Sequence, residues 1–467
     1  MKNLLKYAVI VIGGALVMSS GNAQGETLTE AIKYVLQTNP EVKQVSYTRQ
    51  AKDQEVVQAQ GGYFPTLDAS AAAGLRQQDI PTFDKQWPLQ TTVSLRQNVF
   101  QFGATNAEVS RQKARVKSDA YLLQGTSENL ALRTARAYLN VLRNQELSEL
   151  AKENLINHER IADQMKLRSK SGVDRKADLD QVMGRLALAQ SNIAVTNANL
   201  RDSKTDYAAV VDKMPEDLAK TMSLSSFLPP SMEEAEQFAL KNYPIIKSAQ
   251  ADLEAREAQY KFAKRVVYPK IDVAADYNWQ RDVYPTPGKL DYLSASVIAS
   301  FNIFNGFRNK GRIAETSLLI KEAKEILKNT ERQTVQSVRL SWEAYKAAQE
   351  RIAYLEEYVK STEATATAFT AQWNIGRRTM FDLLDTQAEY INAKSSLVGA
   401  KYDNLYAEYR ILSGMGKLVH TLGLQWPEES RIDMAMADEA PQSAPAAAAA
   451  DAPAADAPAA DAAPQAK

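Results

Sequence analysis

The sequence predicts a mainly α-helical chain with a β contribution of the membrane-barrel kind, built from one duplicated structural unit. Three observations lead there: self-similarity at a constant offset, two long windows without proline, and four short segments in which polarity alternates residue by residue.

The duplication emerges on subtracting positions. Pro40 and Pro244 differ by 204, as do Pro65 and Pro269, Asp68 and Asp272, Asn98 and Asn302, Phe100 and Phe304, Gly172 and Gly376, and Asp178 and Asp382. One ungapped register over more than 130 positions is unlike scattered coincidence. It divides the body into a first repeat, 24–212, a joining segment, 213–230, a second repeat, 231–416, and a closing segment, 417–433.

In chain order, residues 1–23 read as a secretory signal, with Lys2 and Lys6 before the apolar run Tyr7–Met18 and the small residues Gly21 and Ala23 at a cleavage position. That run falls short of the roughly 20 residues that cross a bilayer as a helix, and no later stretch reaches that length. Shorter helices over about 29–60 and 232–263, broken at Pro40 and Pro244, open each repeat.

Just after Pro65 and Pro269 the pattern switches to period two. Leu67, Ala69, Ala71 and Ala73 alternate with Thr66, Asp68 and Ser70, and Ile271, Val273, Ala275, Tyr277 and Trp279 alternate with Asp272, Asp276, Asn278 and Gln280. Partner strands follow across proline-containing loops, giving hairpins over about 65–77 with 89–101 and 269–280 with 292–303. Strands of about ten residues with one oily face have the pattern of outer-membrane barrel strands, with Trp87, Tyr277, Trp279, Tyr284 and Tyr292 as interfacial aromatics. Four strands cannot close alone, and a bilayer tolerates no open edge, so a barrel needs several chains. Two, three or four protomers all satisfy the pattern.

No proline occurs between Pro88 and Pro215 or between Pro287 and Pro427. Residues 104–171 and 308–375, rich in Ala, Leu, Glu, Lys and Gln, therefore read as very long helices, each on the order of 100 Å at about 1.5 Å per residue. Each ends at a glycine turn, Gly172 or Gly376, and a second helix returns over 178–212 or 379–415. From Met434 to Lys467 the sequence is dominated by Ala, Pro and Asp, too poor in large apolar groups to offset its ordering entropy, and reads as a disordered tail.

Composition removes other classes. Lys and Arg number 56 against 56 Asp and Glu, so no basic surplus exists for gripping nucleic acid. Without cysteine there is no disulfide, thiolate metal site, thiol nucleophile or lipidated N-terminal cysteine. His158 and His420 have no partner at ligand spacing. No nucleophile, base and orienting group stand in a recognisable motif, so neither an enzyme nor a cofactor is expected.

Signal, duplication, strand hairpins and long helical hairpins together resemble the TolC family of outer-membrane efflux and secretion channels, over residues 27–420. The most specific pieces are Asn98-Val-Phe-Gln-Phe-Gly103, Asn302-Ile-Phe-Asn-Gly306 and Gly376-Arg-Arg-Thr-Met-Phe-Asp-Leu-Leu-Asp385. The resemblance implies a homotrimer with a twelve-stranded barrel in outer-membrane lipid, a periplasmic helical tunnel, and an equatorial belt formed by segments 213–230 and 417–433. It implies an exit duct of a tripartite export system, fed by a periplasmic membrane-fusion adaptor and an inner-membrane ABC transporter or proton-driven pump. Type I protein secretion is the leading role and multidrug or small-molecule efflux the alternative. A non-conducting periplasmic coiled-coil scaffold is the competing reading from another class; it leaves the four strands unexplained.

By the same resemblance Asp382 and Asp385 align with carboxylates that ring the tunnel's periplasmic constriction, where they attract or trap cations and raise one another's pKa. A plainer reading stands beside it for Asp382, as the partner of a Thr379 helix cap. Arg378 aligns with a basic latch residue and Asp178 with its acceptor. Trp373 stands where the family often has a latch tyrosine, and Ala177 where a hydroxyl residue assists.

Overall fold

The computed structural model describes residues 25–78, 84–172, 175–283 and 286–432. The expected signal and Ala/Pro/Asp tail lie outside the described residues, as do Tyr284 and the turn residues Val173 and Asp174.

Helix α1 (Leu28–Thr38) starts at a capping box in which Thr27 and Glu30 exchange hydrogen bonds, and it buries Leu28, Ala31, Ile32, Val35 and Leu36. Asn39 ends it and caps α2 (Pro40–Gln60), whose first residue is a proline with no amide to lose. The second repeat does the same with α5 (Met232–Asn242) and α6 (Pro244–Arg265), capped by Ser231 and restarted at Pro244.

The strands follow: β1 (Thr66–Ala73), β2 (Arg76–Gln78), β3 (Asp84–Gln86) and β4 (Leu89–Phe100) in the first repeat, β5 (Lys270–Val283) and β6 (Thr286–Ser300) in the second. The strand expected over 65–77 is interrupted at Gly74: its amide reaches the Pro88 carbonyl, but Pro88 has no N–H to return the bond, and β2 pairs with β3 in a separate two-stranded sheet. The strand expected to begin at 292 begins at Thr286, and it stops at Ser300 because β5 opens at Lys270, opposite Ser300, leaving Phe301 with no strand beside it. The two hairpins join into one antiparallel sheet, β1-β4-β5-β6, through β4 and β5. Among the described residues its first and last strands have free edges within the chain. On one face Asn98 donates to Asp272 (2.8 Å) and Thr92 to Asn278 (2.7 Å). Val273, Tyr277, Leu293 and Val297 on the other face are exposed.

The long helices are α3 (Ala104–Lys170) and α7 (Arg308–Asn374), each 67 residues, with antiparallel returns α4 (Lys176–Val211) and α8 (Met380–Gly414). The chain enters them through left-handed residues, Phe102 and Gly103, then Gly306 and Phe307, and the Arg265 guanidinium donates to the Gly103 carbonyl at 2.8 Å.

Midway along the body an apolar core gathers α1, α3, the end of α4, the end of α8 and the short helix α9 (Leu418–Thr421) around Leu123, Leu130, Tyr138, Tyr207, Tyr409 and Leu418. Two buried glutamates fasten irregular segments there. Glu408 accepts from the Leu224 amide (2.7 Å), the Ser223 hydroxyl and Asn404, fixing the joining segment. Glu128 accepts from the Leu418 amide (3.0 Å), the Val419 amide (3.3 Å) and the Trp426 indole (3.0 Å), and Gln124 donates to the Ser430 carbonyl, so the closing segment is strapped onto α3. The Tyr138 hydroxyl lies 2.7 Å from the Glu26 carbonyl and 2.6 Å from that of Ala219, where the N-terminal strand residue bridges the joining segment.

Candidate functional site at the helical tips

Both long helices end because glycine can take the left-handed conformation: Gly172 has φ 70° and Gly376 φ 72°. At Gly376 the cap is a Schellman pair, with its amide bonded to the Trp373 carbonyl and the Arg377 amide to that of Gln372. All four helix ends then pack on one apolar cluster: Ile161, Ala162 and Met165 from α3, Val182 and Leu186 from α4, Trp373 from α7, and Met380, Leu383 and Leu384 from α8. The two hairpins of one chain thus share a core at their tips.

Trp373, aligned by resemblance with a latch residue, is instead a core residue. It is only 6% exposed, and the Arg168 guanidinium lies over its ring at 5.5 Å. An indole has too much apolar area to stay in water when a cluster is at hand.

Asp382 sits three residues into α8 and closes a capping box: its amide donates to the Thr379 hydroxyl, and that hydroxyl donates back to its carboxylate at 2.9 Å. Arg378 stands 3.7 Å away. Within one chain the Thr379 hydrogen bond, helped by Arg378, holds the Asp382 carboxyl below its usual range. Arg378 also donates to Gln372 (3.0 Å) and covers the Phe369 ring at 4.1 Å. Asp178 lies in the first turn of α4, and among the described residues no ion pair within the chain joins it to Arg378.

Asp385 is engaged from the other hairpin. Arg185 of α4 donates to it at 2.9 Å. Beside Arg185, on α3, His158 is 6% exposed with no hydrogen-bond partner at Nδ1, and burial together with the Arg185 charge lowers its pKa. Asp382 and Asp385 therefore share a helix face, as i,i+3 spacing requires, but each already has a partner in its own chain. Among the described residues no group of three or more His, Asp or Glu side chains converges on a point that could hold a metal ion, and no helix is long and apolar enough to cross a membrane.

Reading the sequence alone missed Arg185, Glu128 and Glu408. Arg185 leaves no trace, since nothing nearby in sequence answers it. Glu128 and Glu408 do carry a signal. Each is a carboxylate set at three- and four-residue spacing within a buried stripe, Gln124-Glu128-Ala131-Ala135 and Glu408-Ile411-Leu412-Met415.

A family model described as outer membrane efflux protein matches the chain twice, over residues 31–207 and 236–417, once in each half. The outer membrane efflux protein BepC of Brucella suis is 22% identical over 427 residues, covering 91% of this chain and 92% of the relative. The outer membrane protein TolC of Escherichia coli is 24% identical, covering 90% of this chain and 87% of the relative. Among solved structures, the CmeC outer membrane channel of Campylobacter jejuni superposes with a TM-score of 0.73 at 14% identity, covering 92% of this chain and 97% of that one. With two family matches spanning most of its length and the same helical body and strand sheet as a solved channel, the chain belongs to the outer membrane efflux protein family, a family of channels in the Gram-negative outer membrane with a periplasmic helical body.

Proposed function

We propose that this chain forms, as a homotrimer, a passive exit duct: a twelve-stranded barrel in the outer membrane continuing into a periplasmic tunnel that narrows at the helical tips. The observation that carries the reading is the four-stranded sheet with one polar face, one exposed apolar face and two unpaired edges. A bilayer penalises each open backbone group by several kcal/mol, so such a sheet is stable in lipid only when copies close it. A non-conducting scaffold has no use for these strands.

Transport energy comes from an inner-membrane ABC transporter or proton-driven pump, joined through a periplasmic adaptor that meets the tips. Arg378 and Asp178, which do not meet within one chain, pair across neighbouring chains as the latch, and Asp382 and Asp385 gather around the shared axis. The first reading of the cargo is a protein exported by a type I secretion line. Small-molecule efflux is the second reading, favoured by the efflux description of the matching family.

The deciding experiment compares the extracellular proteome of cells lacking the gene with that of complemented cells. Loss and return of one or a few large proteins supports secretion. An unchanged set, with drug accumulation raised in the deletion, replaces it with efflux.

A further inference from the structure

The tips carry a contact that belongs to this chain's own residues. Arg185 on α4 and Asp385 on α8 join the two helical hairpins of one chain at 2.9 Å, on the edge of the apolar cluster that both hairpins share. On α3, which packs along α4, the His158 ring is shut away from water, and its Nδ1 has no hydrogen-bond partner. Arg185 therefore neutralises one carboxylate, and its charge disfavours the cationic form of the imidazole.

We propose that Arg185–Asp385 is the clasp that holds the two hairpins of each chain together at the periplasmic end, and that His158 behind it makes the clasp release on acidification. The proposal rests on the duct reading and adds to it a gating residue and an effector, the proton.

The physical sequence is short. A neutral His158 stays buried with its single N–H on Nε2 and needs no donor or acceptor for Nδ1. A proton on the ring creates a second cation beside Arg185, with no acceptor for the new N–H and little water to screen it. Relief requires α3 to part from α4 or Arg185 to leave its position, and either movement loosens the shared cluster and the bond to Asp385. The other charged groups on the packed elements do not compensate. Glu159, Arg160 and Asp163 on α3 and Asp180 on α4 are exposed, Asp385 on α8 is held by Arg185, and Glu363 on α7 takes the Tyr390 hydroxyl. The Arg185 charge adds to burial in disfavouring a cationic ring. Because burial and Arg185 lower the imidazole pKa, its contribution to packing is intact above the ordinary value of about 6.5 and is lost as pH falls below it.

Purified full-length channels in planar bilayers test this by single-channel current at pH 7.5 and pH 5.5. Wild type should gain about two- to fivefold in mean current on acidification, the range open to an exposed ion pair. His158→Leu should stay flat at its pH 7.5 level, and Arg185→Ser should be raised already at pH 7.5. A His158→Gln variant, which keeps a polar side chain of similar reach, should be flat as well and guards against a packing artefact in the leucine variant. A wild-type current that ignores pH, or a rise that survives in both His158 variants, overturns the acid clasp while leaving the duct intact. Absence of any conductance in the wild type overturns the duct reading and the clasp with it.

Discussion

Removing the Glu128 carboxylate should release the closing strap. Glu128→Leu keeps nearly the same volume, so it isolates hydrogen bonding from cavity formation. It leaves the Leu418 amide, the Val419 amide and the Trp426 indole without their acceptor in a site where Glu128 itself is 1% exposed. Each buried orphan donor costs about 1–3 kcal/mol, so the docked strap loses at least about 3 kcal/mol and reaches water more readily by swinging out. At 1.4 kcal/mol per factor of ten, its opening constant should rise by more than about a hundredfold. Lys417 and Arg431 flank the strap, which makes limited tryptic cleavage of the full-length protein in detergent a direct assay. When opening is fast relative to cleavage, the cleavage rate follows the opening equilibrium. Glu128→Gln keeps one oxygen for two of the donors and turns an amino group on the third, so it should fall between wild type and leucine. Cleavage within twofold of wild type in Glu128→Leu would refute the reasoning.

The same assay has a pH dependence. Burial outweighs the three donors and pushes Glu128 up to about 7. A carboxyl with a raised folded-state pKa contributes stability that is complete below its ordinary value and is lost as pH rises through the folded value. Strap cleavage in wild type should therefore speed up between pH 6 and pH 8, after correction for trypsin activity on an unfolded substrate, whereas Glu128→Leu should show no such step. Arg378→Ser should raise single-channel conductance if the proposed latch to Asp178 of a neighbouring chain exists. Exposed pairs are worth about 0–1 kcal/mol, so the gain is at most about fivefold, and an unchanged current removes Arg378 from the gate. Deleting residues 434–467 should leave oligomers intact on a semi-native gel, because that composition offers no core, and loss of oligomers assigns the tail a structural part.

The long helices were legible because helix is the default of a window rich in Ala, Leu, Glu and Lys once proline is absent, and Gly172 and Gly376 marked their ends. The period-two segments were legible for the same local reason. What escaped was long-range. The union of the hairpins through β4 and β5 pairs Asn98 with Asp272 across the repeats, and alternation within a strand carries no information about its neighbour. The break at Gly74 depends on Pro88, which stands opposite and has no amide to return the Gly74 bond.

At the tips the same division holds. The Thr379–Asp382 box is encoded within four residues and was readable as a helix start. Trp373 was placed in a latch by resemblance, and the structure buries it, since a cluster assembled from four helices is invisible at any one of them. Arg185 lies 200 residues from Asp385, and no local pattern announces their meeting.

The central claim, that copies of this chain close one barrel, is tested most directly at the free edges of the sheet. The chain has no cysteine, so an introduced pair reports without background. Ser70→Cys on β1 can be combined in turn with Ser294→Cys, Ser296→Cys or Ser300→Cys on β6. Within one chain three strand spacings of about 4.8 Å separate these edges, beyond the reach of a disulfide. Oxidised outer membranes should yield, for at least one combination, a ladder of covalent dimers and trimers that stops at three on a non-reducing gel. Monomers alone in every combination, or a ladder that stops at two or passes three, would contradict the trimeric duct.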